Sequence, residues 1–367
     1  MSRSASSFLT LLFFCWAGLA AFAQSPTPPP AAPANPTVTP SPAPSAEAII
    51  NSMAPADLQQ VIQLLKSNYI NPAALNEAEL NRAMLSGVLD RLGGGALLLS
   101  VSGAEGSPTA DAFYSDVIEG HIGYLRFGAL TPANLQALDT ALQGYPAKKI
   151  DAVVVDLRAS GATNDFATAA EFAKRFCGKG KALFSLRRAA GKLERPFVSE
   201  RDPAYTGLLL VLVDGETAGP AEAIAGDLRH YNKALLIGQP TAGRAVEYSD
   251  LPLNGGRILR TAVSEAVLPE GKAIFPGGLK PDLAVEMTTA DKRQVFQQSV
   301  QVGMSPFVFE HERPHLNEAA LLAGQNPELD ALEATQRRKN AEKPLPRDVV
   351  LQRAIDLVTS LAIYQKR

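Results

Sequence analysis

The chain has 367 residues, of which 46% are hydrophobic and 20% charged, with a formal net charge of −2. That length allows one large or two ordinary domains around a sizeable buried core. The charge balance lacks the basic excess that neutralising phosphates requires, so nucleic acid is excluded as an expected partner.

Arg3 precedes an apolar run from Phe8 to Ala20 that ends in Ala21-Phe22-Ala23, the small-residue pattern of a secretory cleavage site. Residues 1–23 therefore read as a signal peptide cut after Ala23. The alternative, a retained anchor, is disfavoured because the run is shorter than the ~20 apolar residues that span a bilayer. Cleavage leaves no expected transmembrane span. It also removes Cys15, so Cys177 is alone and no intrachain disulfide is expected. Residues 24–45 hold nine of the 27 prolines and offer no apolar face, which predicts a disordered linker. A passive linker is preferred over a spacer from an envelope surface.

Residues 46–110 carry two helical patterns. Leu58, Val61, Ile62, Leu64 and Leu65 recur at helical spacing, as do Leu80, Met84, Leu85, Val88 and Leu89. Together they predict a helical hairpin, closed by Gly93-Gly94-Gly95 and followed by a polar connection. Residues 111–290 then alternate strands and helices. Strands are predicted at Ile122–Phe127, Ile150–Val155, Leu208–Val213 and Ala234–Ile237. Helices are predicted at Pro132–Leu142, Phe166–Phe176 and from Pro220 to about Tyr231. The fold class is α/β, a mainly parallel sheet covered by helices.

Residues 291–367 read as a helical extension, with short helices at Asn317–Leu322, Glu328–Arg338 and Val349–Ala362. The last is amphipathic and is expected to cap the domain rather than seat a partner.

The stretch Asp214-Gly215-Glu216-Thr217-Ala218-Gly219-Pro220-Ala221-Glu222 links a buried strand to a helix. Gly219 suits the N-cap, Pro220 the first helical position and Glu222 the third, so local chemistry alone accounts for a clean helix start. A strand, a tight turn and a helix N-terminus are also the usual setting for a nucleophile.

At these residues the sequence resembles the tail-specific, or carboxy-terminal processing, serine protease family. The resemblance runs through Ile122-Gly123-Tyr124-Leu125-Arg126, Val155-Asp156-Leu157-Arg158, Leu210–Gly215 and Ala221-Glu222. It continues through Ala234–Gly243 to Gly277-Gly278-Leu279-Lys280-Pro281-Asp282. It implies that family's ClpP/crotonase-like core, an exported location in the bacterial periplasm or envelope, and peptide ligands.

The family's chemistry does not carry over with its fold. Aligned on the motifs, the nucleophilic serine is replaced by Gly219, the general-base lysine by Arg244 and its supporting glutamine by Tyr248. Glycine has no attacking oxygen, and an arginine does not become a neutral base. One oxyanion donor of the family is the amide after the nucleophile, which is Pro220 here and has no N–H. The other comes from glycines replaced by Ala162 and Thr163, with Gly161 beside them. Thr217 is the nearest hydroxyl, but no base is in evident reach, and His230 is expected to face solvent. The family's peptide-binding PDZ module is missing too, since no further domain fits between Gly95 and Ile122.

His311-Glu312-Arg313-Pro314-His315 matches the zinc-protease string, yet Pro314 breaks the helix that would align His311, Glu312 and His315. Pro306-Phe307-Val308-Phe309 before it reads as extended. The string is taken as a decoy, with no metal and no cofactor expected. The expected function is a catalytically inactive serine-protease-like adaptor or regulator. Its partner would be a peptide or protein, such as an active relative or an envelope protein. The alternative is an active serine-type peptidase with rearranged catalytic groups; a metallopeptidase is the weakest reading.

Overall fold

The computed structural model describes residues 45–100, 112–161, 164–188, 194–308 and 345–365. The predicted signal peptide, nearly all of the linker, Ala162, Thr163, the His311–His315 string and the helices expected at 317–322 and 328–338 lie outside these residues. The chain divides into two units, Met1–Asn76 and Glu77–Arg367.

In the first unit, α1 (Ala46–Ser52) starts where the Ser45 hydroxyl accepts the Ala48 amide at 3.2 Å. Next, α2 (Pro55–Asn68) starts with proline at its first position and Asp57 accepting the Ala54 amide at 3.3 Å. A 3-10 turn follows at Pro72–Leu75. Leu58, Val61, Ile62, Leu64 and Leu65 of α2 are exposed.

The second unit opens with α3 (Glu77–Leu92), which has no buried residue. Both helices of the expected hairpin thus form, but in different units. The predicted polar connection is corrected: a 3-10 turn at Gly93–Gly95 leads directly into strand β1 (Ala96–Ser100).

A six-stranded sheet is built from β2 (Tyr114–Ile118), β3 (Ile122–Arg126), β4 (Ala152–Asp156), β7 (Leu208–Val213), β8 (Leu235–Gly238) and β11 (Leu283–Ala284). Across the sheet their order is β11-β8-β7-β4-β3-β2. All pairings in it are parallel except β2 with β3. Side chains alternate across it, as strand geometry demands. Leu125, Val153, Val155, Leu209, Val211 and Leu236 enter one core. Tyr124, Val154, Leu210, Leu212 and Ile237 enter the other.

Three helices cover the first face: α4 (Pro132–Lys148), α5 (Phe166–Ala173) and α6 (Pro220–Asn232). Helix α4 runs six residues past its predicted end, through Pro146. The second face is covered by α7 (Thr289–Val302) and α8 (Val349–Gln365). Val350, Leu351, Ala354, Ile355 and Val358 of α8 are buried there, so this helix caps the sheet as expected. Ser305–Phe307 is a 3-10 turn rather than the predicted extended segment.

A second sheet has no counterpart in the predicted elements, so a mainly parallel sheet describes only half of the β structure. This sheet is antiparallel and consists of β1, β5 (Ala182–Arg188), β6 (Glu194–Val198), β9 (Val246–Leu253) and β10 (Arg257–Val267). Apart from Ala96-Leu97-Leu98-Leu99 of β1, its sequences mix charged and apolar residues and cross Pro196 and Pro252, so no continuous apolar run marks those strands.

Candidate functional site

The end of β7, the following turn and the start of α6 are held by interlocking polar contacts. Asp214 Oδ1 accepts the amides of Glu216 at 2.9 Å and Thr217 at 3.2 Å. The Thr217 hydroxyl is wholly buried; it accepts the Asp214 amide and donates to the Leu157 carbonyl, both at 3.1 Å. Its Oγ1 also lies 3.5 Å from Asp214 Oδ1, and these contacts pin this turn to the one after β4. His230 is exposed and paired with Glu270 at 2.6 Å.

Gly219 has φ 60° and ψ −128°, a conformation that L side chains occupy only under strain. It lies in the sharp strand-to-helix turn where the sequence resemblance places a nucleophile. The amides around it are engaged internally. Gly219 donates to Glu222 Oε2 at 3.0 Å, Ala221 to the Ala218 carbonyl and Glu222 to the Gly219 carbonyl, while Pro220 has no N–H. None of the Gly219, Ala221 and Glu222 amides is left free for an oxyanion.

Glu222 joins this turn to the one after β8. Oε1 accepts the Thr241 hydroxyl at 2.5 Å and the Gly243 amide at 2.7 Å, and Oε2 accepts the Arg244 amide at 2.8 Å besides that of Gly219. The carboxyl is fully buried, and burial raises it above the usual range against the pull of these four donors. Gly219, Pro220 and Arg244 are therefore brought together, as the sequence alignment requires, through a residue whose local signal is only that of a helix start.

Arg244 is exposed, and its stem runs over Gly94, where an added Cβ would lie 2.9 Å from the Arg244 Cγ. The Tyr248 hydroxyl donates to the Gly94 carbonyl at 2.7 Å. Burial raises the Tyr248 hydroxyl and the charge of Arg244 lowers it. Gly161 abuts the Glu216 carbonyl, 2.2 Å from where a Cβ would sit.

Two polar clusters behind the turns were not legible in the sequence. The buried Lys292 of α7 donates to the Arg158 carbonyl at 2.9 Å and to Glu216 Oε2 at 2.7 Å, and pairs with the Asp214 carboxylate. Arg158, also buried, bridges Asp156 at 2.6 Å and Asp348 at 2.7 Å. Burial works to raise the Asp156 carboxyl, but the charge and hydrogen bonds of Arg158 and the Tyr124 hydroxyl hold it below the ordinary range. Lys292 and Asp348 come from segments where no predicted motif lies; only a buried partner at long range distinguishes them from surface charges.

Among the described residues no group of three His, Cys, Asp or Glu side chains is arranged to hold a metal. A cavity of about 440 Å³ lies beside Asp214, Glu216, Gln239 and Met287 and includes none of the predicted site residues.

The parallel sheet, its helical covers and the paired turns joined by Glu222 make up an α/β scaffold. Residues 121–285 match the model of Peptidase family S41. A carboxy-terminal-processing protease of Bartonella bacilliformis is 28% identical over 180 residues, 48% of this chain and 41% of the relative. The carboxy-terminal processing protease CtpA of Bacillus subtilis is 24% identical over 200 residues, 54% of this chain and 42% of the relative. The chain thus spans about two fifths of the length of each. A crystal structure described as a peptidase of Parabacteroides merdae shares the fold at a TM-score of 0.50 and 16% identity, over 66% of this chain and 85% of that one.

Proposed function

We propose that this chain is an exported, catalytically inactive relative of the S41 serine peptidases that binds extended peptide or protein segments as an adaptor or regulator. One observation carries the reading. Glu222 gathers the two turns on which the resemblance places nucleophile and base, and those turns present Gly219 and Arg244. With no hydroxyl on one turn, a permanent cation on the other and Pro220 where an oxyanion donor belongs, the scaffold supports binding without acyl transfer. An active relative or an envelope protein fits as partner. Among the described residues no helix is long and apolar enough to cross a membrane.

The test is incubation of the purified mature chain with unstructured peptides, followed by mass spectrometry and by anisotropy titration. The expected result is saturable binding with no hydrolysis. Turnover that disappears in Thr217→Ala would establish an active peptidase instead. Export is checked by fractionating cells that express the full chain and locating the processed form.

A further inference from the structure

Strand β9 pairs only with β10 among the described residues, so no second strand lines its outer edge between Val246 and Leu253. Strand geometry decides which groups line that edge, because the amide and carbonyl of one residue point to the same side and alternate along the strand. The Val246 amide turns away from β10 to bond the Arg244 carbonyl at 2.8 Å, so Val246, Tyr248, Asp250 and Pro252 face outward.

The first part of the edge is already occupied by an amide. With its carboxamide oriented to satisfy both partners, Asn164 donates to the Val246 carbonyl at 3.2 Å and accepts the Tyr248 amide at 3.3 Å. A neighbouring strand would offer the same donor and acceptor pair. Beyond Asn164 the Tyr248 carbonyl and both backbone groups of Asp250 remain, and Pro252, which has no N–H, ends the row.

We infer that the outer edge of β9 takes up an extended peptide from a partner protein as an added strand. This rests on the proposed peptide-binding function and places its docking line, which begins two residues after Arg244. The flanking side chains set the chemistry of the occupant. On one face stand the half-exposed Leu251 and Leu253, 48% and 45% accessible. On the other face Asp250 is paired with Arg260 at 2.7 Å. The fitting segment carries an apolar residue at every second position, over the leucines, with polar residues between.

The probe is a doubly capped, fluorescently labelled hexapeptide alternating valine and threonine, with two versions N-methylated at every second residue in opposite frames. The expected results are saturable binding, slowed hydrogen exchange over Tyr248–Leu253, and loss of binding for one N-methyl frame only. Asp250→Pro removes the outward amide and is expected to weaken binding about tenfold, whereas Asp250→Asn keeps that amide and binds as the native chain does. Saturable binding with both frames equivalent and β9 exchange unchanged overturns the edge assignment while leaving the peptide-binding reading in place. Absence of saturation by the unmethylated probe overturns both.

Discussion

The carboxylate of Glu222 accepts the Arg244 amide at 2.8 Å, so a residue in the first turn of α6 fixes the backbone of the turn after β8. The same oxygen holds Gly219. The two turns are thereby held together by one buried acid.

Replacing Glu222 with glutamine turns one of its two oxygens into a donor and leaves two of the four N–H and O–H groups without an acceptor. At about 1–3 kcal/mol per buried unsatisfied group, Glu222→Gln is expected to lower stability by about 2–6 kcal/mol. Urea denaturation reads this as a shift of the midpoint; a midpoint within error of the native chain would contradict the junction role.

Restoring the family residues is not expected to restore chemistry. In Gly219→Ser the new side chain sits at φ 60°, ψ −128°, costing about 1–3 kcal/mol, and the double variant with Arg244→Lys still has Pro220 in place of an oxyanion donor. Both variants should melt lower than the native chain and leave an unstructured peptide intact. Measurable hydrolysis by the double variant would show that the Pro220 position is not limiting.

Asp348 is paired with Arg158 across the second face of the sheet and accepts the Leu351 amide at 2.9 Å. Removing it leaves the buried Arg158 paired with Asp156 alone and uncaps α8. Asp348→Ala is expected to cost about 2–5 kcal/mol, from the lost charged hydrogen bonds and the lost cap, and to speed hydrogen exchange throughout α8. Unchanged exchange there would mean that apolar packing alone holds the helix.

Two buried carboxyls pull the pH dependence in opposite directions. Asp156 is held below its ordinary 3.8, so its contribution is present above that pH and is lost as pH falls through the lower folded value. Asp227 is driven well above 3.8, by burial first and then by the nearby Glu270 against one hydrogen bond from the Phe184 amide. Its contribution is complete below 3.8 and is lost as pH rises toward the folded value, because the unfolded chain ionises first. Asp227 Oδ1 has no hydrogen-bond partner among the described residues. Asp227→Asn should therefore match the native chain below about pH 4 and exceed it in melting temperature at neutral pH. Parallel melting curves for the two proteins from about pH 3 to 8 would refute a neutral Asp227.

The second sheet shows what local patterns leave out. The apolar runs Val153-Val154-Val155 and Leu209-Leu210-Val211 announce strands buried on both faces, and Ala152–Asp156 and Leu208–Val213 form as such. Strand β10 reads Arg257-Ile258-Leu259-Arg260-Thr261, and its neighbours supply the reason it is extended: Leu97 and Asp250 stand opposite Arg260 on the two sides. Such strands owe their conformation to cross-strand partners distant in sequence, which no local pattern encodes.

By itself the sequence determined the parallel strands and the Gly219-Pro220 helix start, because each depends on residue type within a few positions. Tertiary structure alone decided that Glu222 joins the two turns, that Lys292 ties the first of them to the Arg158 carbonyl, that Asp348 pairs with Arg158, and that β9 has no second strand beside it among the described residues. Those features depend on buried polar groups finding partners far along the chain, and the cost of leaving such groups unpaired is what selects the one arrangement that satisfies them.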